Sequence, residues 1–110
     1  MRPASCKAKG RRAQQQLRDL LLAQFPDLEP DDIKCALMSE GGCDLKLSPA
    51  ARRVWPYSPE VKNVEKLNFW QAYQQAVDNA KPDTTPIVVA SRNRTKPLVV
   101  ISLSDFLRMS

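Results

Sequence analysis

Residues 41–63 read GGCDLKLSPAARRVWPYSPEVKN, and this stretch decides the fold. The Gly41-Gly42 pair breaks the chain. Cys43-Asp44-Leu45-Lys46-Leu47 then alternates with the period of two that marks a half-buried strand. Ser48 before Pro49 supplies an N-cap and a first helical position, predicting a brief helical turn through Ala50, Ala51, Arg52 and Arg53. Pro56 and Pro59 bracket a loop. Glu60-Val61-Lys62 opens a second strand, with Glu60 and Lys62 on one face because side chains alternate. Adjacent strands lie ~4.8 Å apart, so Asp44 and Glu60 can converge on one point.

Toward the N-terminus, residues 1–10 (MRPASCKAKG) lack hydrophobic periodicity and read as a flexible basic arm. From Arg11 to Gln24 the recurrence of Ala13, Leu17, Leu20 and Leu21 predicts a helix that Pro26 ends near Phe25. Pro30, Asp31 and Asp32 suit a short helical turn. Toward the C-terminus, Phe69, Tyr73, Ala76, Val77 and Ala80 form the apolar stripe of a helix over Lys66–Ala80. Pro86 to Ser91 reads as a strand, Ser91 to Lys96 as a polar hairpin loop, and Leu98 to Leu103 as the partner strand. Ser104 is placed to cap a last helix over Asp105–Met109. This order predicts one α/β domain over residues 11–110, a central mixed sheet of about four strands flanked by helices. Trp55, Tyr57 and Trp70 are read as packing residues, Trp70 in the core or at a dimer contact.

A chain of 110 residues supports one core. It contains no histidine, which excludes any mechanism built on an imidazole base. Carboxylates, lysine or a metal ion must then do any proton work. The three cysteines are an odd number without metal-site spacing and read as reduced thiols. The longest apolar runs are strand-length and far short of a bilayer span, so no membrane partner is expected. No apolar stretch follows the basic residues Arg2, Lys7, Lys9, Arg11 and Arg12, so the expectation is a cytoplasmic protein without a signal peptide. The net charge of +5 is grouped in Lys7–Arg12, in Arg52 and Arg53, and in Arg92, Arg94 and Lys96. Such grouping is the footprint of a polyanion binder.

An aspartate at one strand start, with a glutamate and a lysine two residues apart on the next, can serve phosphoryl chemistry. Asp44 and Glu60 offer hard oxygen ligands to Mg²⁺ or Mn²⁺, which is typically held by one or two carboxylates plus substrate phosphate. Lys62, on the side of Glu60, can position or help deprotonate the attacking water, or offset charge building on phosphorus. The pattern is common by itself, and its alternative is a pair of solvated strand ends with a surface salt bridge.

The segments KGRRAQQQLRDLLL, GGCDLKLSPAARR, SPEVKN and WQAYQQAVDNA, in that order, resemble the PD-(D/E)XK nuclease superfamily. The nearest parallels are archaeal Holliday-junction resolvases and small phage-encoded endonucleases. The resemblance implies a restriction-endonuclease-like core and hydrolysis of DNA phosphodiester bonds with Mg²⁺ or Mn²⁺, selective for DNA structure. It makes Asp44 and Glu60 metal ligands, Lys62 the water-activating lysine, and Gln75, or Gln71 one turn earlier, a glutamine facing the site. Lys9, Arg11, Arg12, Arg52 and Arg53 would contact the nucleic acid. It also implies a homodimer and, for a phage-encoded protein, the cytoplasm of a bacterial host. Two departures stand out. Cys43 replaces the proline of the family's name, and Gln14 occupies the position after Lys9-Gly10 where resolvases carry a glutamate. Gln14 can hydrogen-bond a metal-bound water but adds no negative charge, so a second cation would be held less tightly or would draw on Glu40, Asp31 or Asp32. The alternatives are a catalytically impaired nucleic-acid-binding module of the same fold, or a nuclease acting on RNA, DNA ends or nicks.

Overall fold

Good helix formers and a proline suited to the first turn let helix α1 run from Pro3 to Gln24, in a computed structural model of the chain. The structure describes the backbone over residues 3–36 and 44–110, and the side chains over 10–36 and 44–110. The helix therefore begins eight residues before the expected start at Arg11 and crosses the boundary expected at residue 10. Ala13 and Leu21 are buried and Leu17 is partly so, as the periodicity requires, but Leu20 is exposed.

The Pro30–Asp32 turn forms as expected, as one turn of 3₁₀ helix. Directly after it comes a strand that the sequence pattern did not reveal, β1 (Ile33–Cys35). It pairs antiparallel with β2 (Leu45–Leu47), Ile33 opposite Leu47 and Cys35 opposite Leu45. Arg18 ties α1 to this corner, its guanidinium donating to the Ile33 carbonyl at 2.6 Å and the Pro30 carbonyl at 2.9 Å. Helix α2 (Pro49–Val54) starts where predicted, the Ser48 hydroxyl accepting the Ala51 N–H at 3.1 Å. That hydroxyl also donates to Asp32 Oδ1 at 2.6 Å, which locks the turn to the helix start.

Strand β3 (Tyr57–Asn63) follows, then α3 (Phe69–Asn79), β4 (Thr85–Ser91), β5 (Leu98–Val100) and α4 (Leu103–Met109). β3 and β4 are parallel, joined by α3 as a crossover, and β5 returns antiparallel to β4. Among the described residues the strands thus form two sheets, one of two and one of three strands, instead of the single sheet of about four expected. β5 is also shorter than its sequence pattern. Ser102, not Ser104, caps α4 by accepting the Asp105 N–H at 3.2 Å, so the chain turns helical just past the strand.

Each sheet has its own apolar cluster. Leu21, Ile33, Leu45 and Ala51 join α1 to the β1–β2 pair, with Trp55 packed against them. Ala72, Ala76, Val88 and Ala90 join α3 to the larger sheet. The buried face of α3 is therefore its small-residue face. Ala76 and Tyr73 of the expected stripe pack there, whereas Phe69 and Val77 are 47% and 41% exposed, and Trp70 at 88% exposure lies outside the core. Trp55 and Tyr57 do pack, their ring centroids 5.1 Å apart.

Candidate active site

Strand β3 lies between α1 and α3 and contacts both. The register sets Glu60 beside Val88 and Lys62 beside Ala90, on the face that α3 covers. Val61 points the other way, toward Ala13, Leu17 and Val89 beneath α1. Asp44, at the entrance to β2, reaches across from the first sheet. Its N–H donates to the Pro59 carbonyl at 3.3 Å, and its Oδ2 accepts the Val61 N–H at 2.6 Å. One residue thus occupies two hydrogen-bonding positions on the outer edge of β3, and its carboxylate lies beside the Glu60–Lys62 pair.

Glu60 is 8% exposed. Its Oε2 lies 3.5 Å from Lys62 Nζ, and its Oε1 is buried without a hydrogen-bond partner among the described residues. Burial raises the Glu60 pKa, and the neighbouring Asp44 charge raises it further, against the opposing pull of Lys62 and of a hydrogen bond from Asn79. Burial also raises the Asp44 pKa, opposed by the Val61 N–H and the Lys62 charge. Two desolvated carboxylates close enough to repel, with one lysine between them in charge, form a group that a cation would relax.

Gln75 lies one turn before Asn79 on α3. Its Oε1 is likewise buried and unpartnered among the described residues. Gln71 is exposed, and its backbone N–H is taken by the Asn68 cap at 3.1 Å. Gln75 therefore shares the helical face of Asn79, whose side chain meets Glu60, whereas Gln71 is exposed. Asn79 escaped the sequence reading, although its spacing of four from Gln75 sets both on one helical face.

No family model, curated protein or solved structure matches the chain. Function must therefore be argued from the site's own chemistry.

The remaining expected residues are dispersed. Gln14 is half-buried on α1, which packs against the Val61 face of β3 and not the Glu60 face. Arg11 and Arg12 are exposed on the same helix. Arg53 is exposed on α2, whereas Arg52 is half-buried and donates to the Leu47 carbonyl at 2.8 Å. Asp32 is committed to the turn, accepting the Glu29 N–H at 2.7 Å as well as Ser48, and Asp31 is exposed. Glu40, Cys43 and the Lys9 side chain lie outside the described residues. Beside Ser58 a cleft of about 320 Å³ opens with Lys46, Arg52 and Lys81 among its walls. Ser58 is on the Glu60 face, and its hydroxyl accepts the Lys81 N–H at 3.0 Å, which holds the turn after α3 over the cleft.

Oxygen donors dominate the site, the Asp44 and Glu60 carboxylates, with the unpartnered Gln75 amide oxygen on the helical face that carries Asn79. Among the described residues no group of three or more His, Cys, Asp and Glu side chains converges. The set matches a cation that keeps several waters and shares its remaining positions with a substrate. The buried, unpartnered Glu60 Oε1 and Gln75 Oε1 fit that demand, since each needs a positive or hydrogen-bonding partner.

Proposed function

We propose that this protein is a metal-dependent nuclease that hydrolyses DNA phosphodiester bonds, with Asp44, Glu60, Lys62 and Gln75 as its working residues. The observation that carries the reading is the meeting of Asp44 with the Glu60–Lys62 pair across two sheets, with a buried glutamate oxygen left unpartnered among the described residues. The resemblance to PD-(D/E)XK nucleases, and to Holliday-junction resolvases among them, supports the same assignment and a restriction-endonuclease-like core.

Asp44 and Glu60 would hold Mg²⁺ or Mn²⁺, with the Gln75 oxygen turned toward it. The chemistry such an ion supplies is polarisation of a phosphoryl oxygen and acidification of a nearby water. Lys62, only partly buried and salt-bridged to Glu60, orients the attacking water and offsets the charge that grows on the phosphoryl oxygens. Water adds to phosphorus, the bond to the leaving sugar oxygen breaks, and that oxygen takes up a proton. Asp44 also fixes the geometry, because its second role at the Val61 N–H stops the carboxylate from rotating away. The basic cleft of Lys46, Arg52 and Lys81 beside Ser58 supports contact with the substrate's phosphate backbone.

The test is cleavage of labelled four-way junction, duplex, single-stranded DNA and RNA, with and without Mg²⁺ or Mn²⁺, by the parent and by Glu60→Ala and Lys62→Ala. Metal-dependent cleavage lost in both variants is expected. Binding without cleavage by the parent would sink the enzyme reading, and cleavage that survives both substitutions would show the site to be misplaced.

A further inference from the structure

A cavity of about 580 Å³ lies past the carboxyl ends of β3 and β4, between the segment leading into α3 and the β4–β5 hairpin. Leu67, Phe69, Ala90 and Leu98 give it apolar walls. Ala90 is the register partner of Lys62 on one side and of Leu98 on the other. The cavity floor thus continues, strand by strand, from the sheet position that carries Lys62, with ~4.8 Å between neighbours. Phe69 is 47% exposed and Leu98 63% exposed, so neither is consumed by the core. Three cations, Lys66, Arg92 and Lys96, also line the cavity. The acid among the lining residues, Glu65, accepts the Asn93 N–H at 3.2 Å and so links the two walls.

An apolar cavity with an aromatic wall and several cations is complementary to a nucleotide: the base against Phe69, the phosphates on the cations. In a duplex the base faces are covered by their neighbours in the stack. Only a nucleotide outside the stack can enter. The volume is in the usual range for a small-ligand site.

From this we infer that the cavity beside Lys62 receives an unpaired nucleotide next to the scissile bond, so that the substrate class is nucleic acid with a single-stranded segment at the site. This rests on the nuclease reading for its position relative to the chemistry, but not for binding itself. An intact duplex would reach the cations and leave the apolar walls empty.

Binding is measured in EDTA on the full chain by fluorescence anisotropy, with a fluorescein-labelled oligo-dT strand and a blunt duplex as probes. Phe69→Ala is expected to weaken single-strand binding about tenfold or more. Phe69→Tyr should restore it, and duplex affinity should be the same in all three proteins. Replacing Arg92 and Lys96 by Gln should flatten the salt dependence of single-strand binding by about 1.4 in log–log slope. Leu98→Ser, at an exposed position, repeats the test without touching α3, and circular dichroism establishes that each variant is folded. Unchanged single-strand binding in folded Phe69→Ala and Leu98→Ser overturns the inference, as does an equal loss for both probes. The two proposals fail separately. A protein that binds single strands through Phe69 but never cleaves sinks the nuclease reading and upholds the cavity. Metal-dependent cleavage with single-strand binding indifferent to Phe69 does the reverse.

Discussion

The Asp44 carboxylate accepts the backbone N–H of Val61 at 2.6 Å, one residue from each of the two side chains it must work beside, Glu60 and Lys62. The bond satisfies a donor on the outer edge of β3, and it takes a side chain to do so. β1 and β2 form a separate ladder, and among the described residues Asp44 hydrogen-bonds that ladder to the larger sheet. A structural tie and a candidate catalytic group are therefore the same carboxylate.

Two substitutions separate those roles. Asp44→Asn keeps an oxygen for the Val61 N–H and removes a desolvated charge, so at neutral pH the fold should be at least as stable as the parent's. Asp44→Ala leaves a buried donor unpaired and should cost about 1–3 kcal/mol in urea denaturation. Both should abolish metal-dependent cleavage, the first by lost charge alone. Equal stability of the two variants would show that the bond does not matter to the fold.

The pH dependence of stability follows from the raised pKa values of Glu60 and Asp44. A carboxyl group whose folded-state pKa is raised favours folding when protonated. Its contribution is therefore fully present below the unfolded value, 4.5 for Glu60, and is lost as pH rises through the folded value. Glu60→Gln removes that loss. The variant should be more stable than the parent at neutral pH, with the gap closing as pH falls toward the ordinary glutamate range. Asp32 and Asp105, whose pKa values are lowered by their hydrogen bonds, work in the opposite direction but are common to both proteins. Parallel stability curves across pH would contradict the burial of Glu60 as a charge.

How much of this was legible in sequence depends on whether the signal was local. The Ser48-Pro49 start of α2 is carried by neighbouring residues and formed where expected. By contrast, β2 is shorter than the Cys43–Leu47 pattern, and β3 begins at Tyr57, three residues before Glu60, so that Pro59 lies inside the strand and not in a loop. Ile33–Cys35 is too short for its alternation to register, and it is a strand only because β2 pairs with it. Leu98–Leu103 reads as one strand because its apolar run continues into α4. The Ser102 cap divides it, and Leu103 spends its apolar surface in an exposed helix. On α3 the expected stripe was right at Ala76 and Tyr73, but the close approach of helix to sheet buried Ala72 in place of Phe69 and Val77. That shift of face brings Gln75 and Asn79 toward β3. Asp44 and Glu60 were recognised as a pair, but the Val61 tie that joins them depends on the docking of two sheets, which no local pattern encodes.

Cation binding should be visible without any substrate. Mg²⁺ or Mn²⁺ held by Asp44 and Glu60 binds the folded state, so it should raise the melting temperature with the logarithm of concentration once above Kd, by about 2.7 kcal/mol of stability at a hundred times Kd. Because the carboxylates must be ionised to bind, the shift should grow with pH. Glu60→Gln should lose it. Equal thermal shifts in parent and variant would place the cation elsewhere.

Asn79 offers the most selective test of the site, since the sequence reading never singled it out. Its hydrogen bond to Glu60 opposes the upward push of burial and of the Asp44 charge. Asn79→Ala removes that opposition and should raise the Glu60 pKa further, moving the acidic limb of the pH–rate profile to higher pH. At alkaline pH, where Glu60 is ionised in either protein, the rate should approach the parent's. A loss of rate that is uniform in pH would mean Asn79 only packs α3 against the sheet. A shift confined to the acidic limb would tie this amide to the ionisation of Glu60, and through it to the group that Asp44 and Lys62 complete.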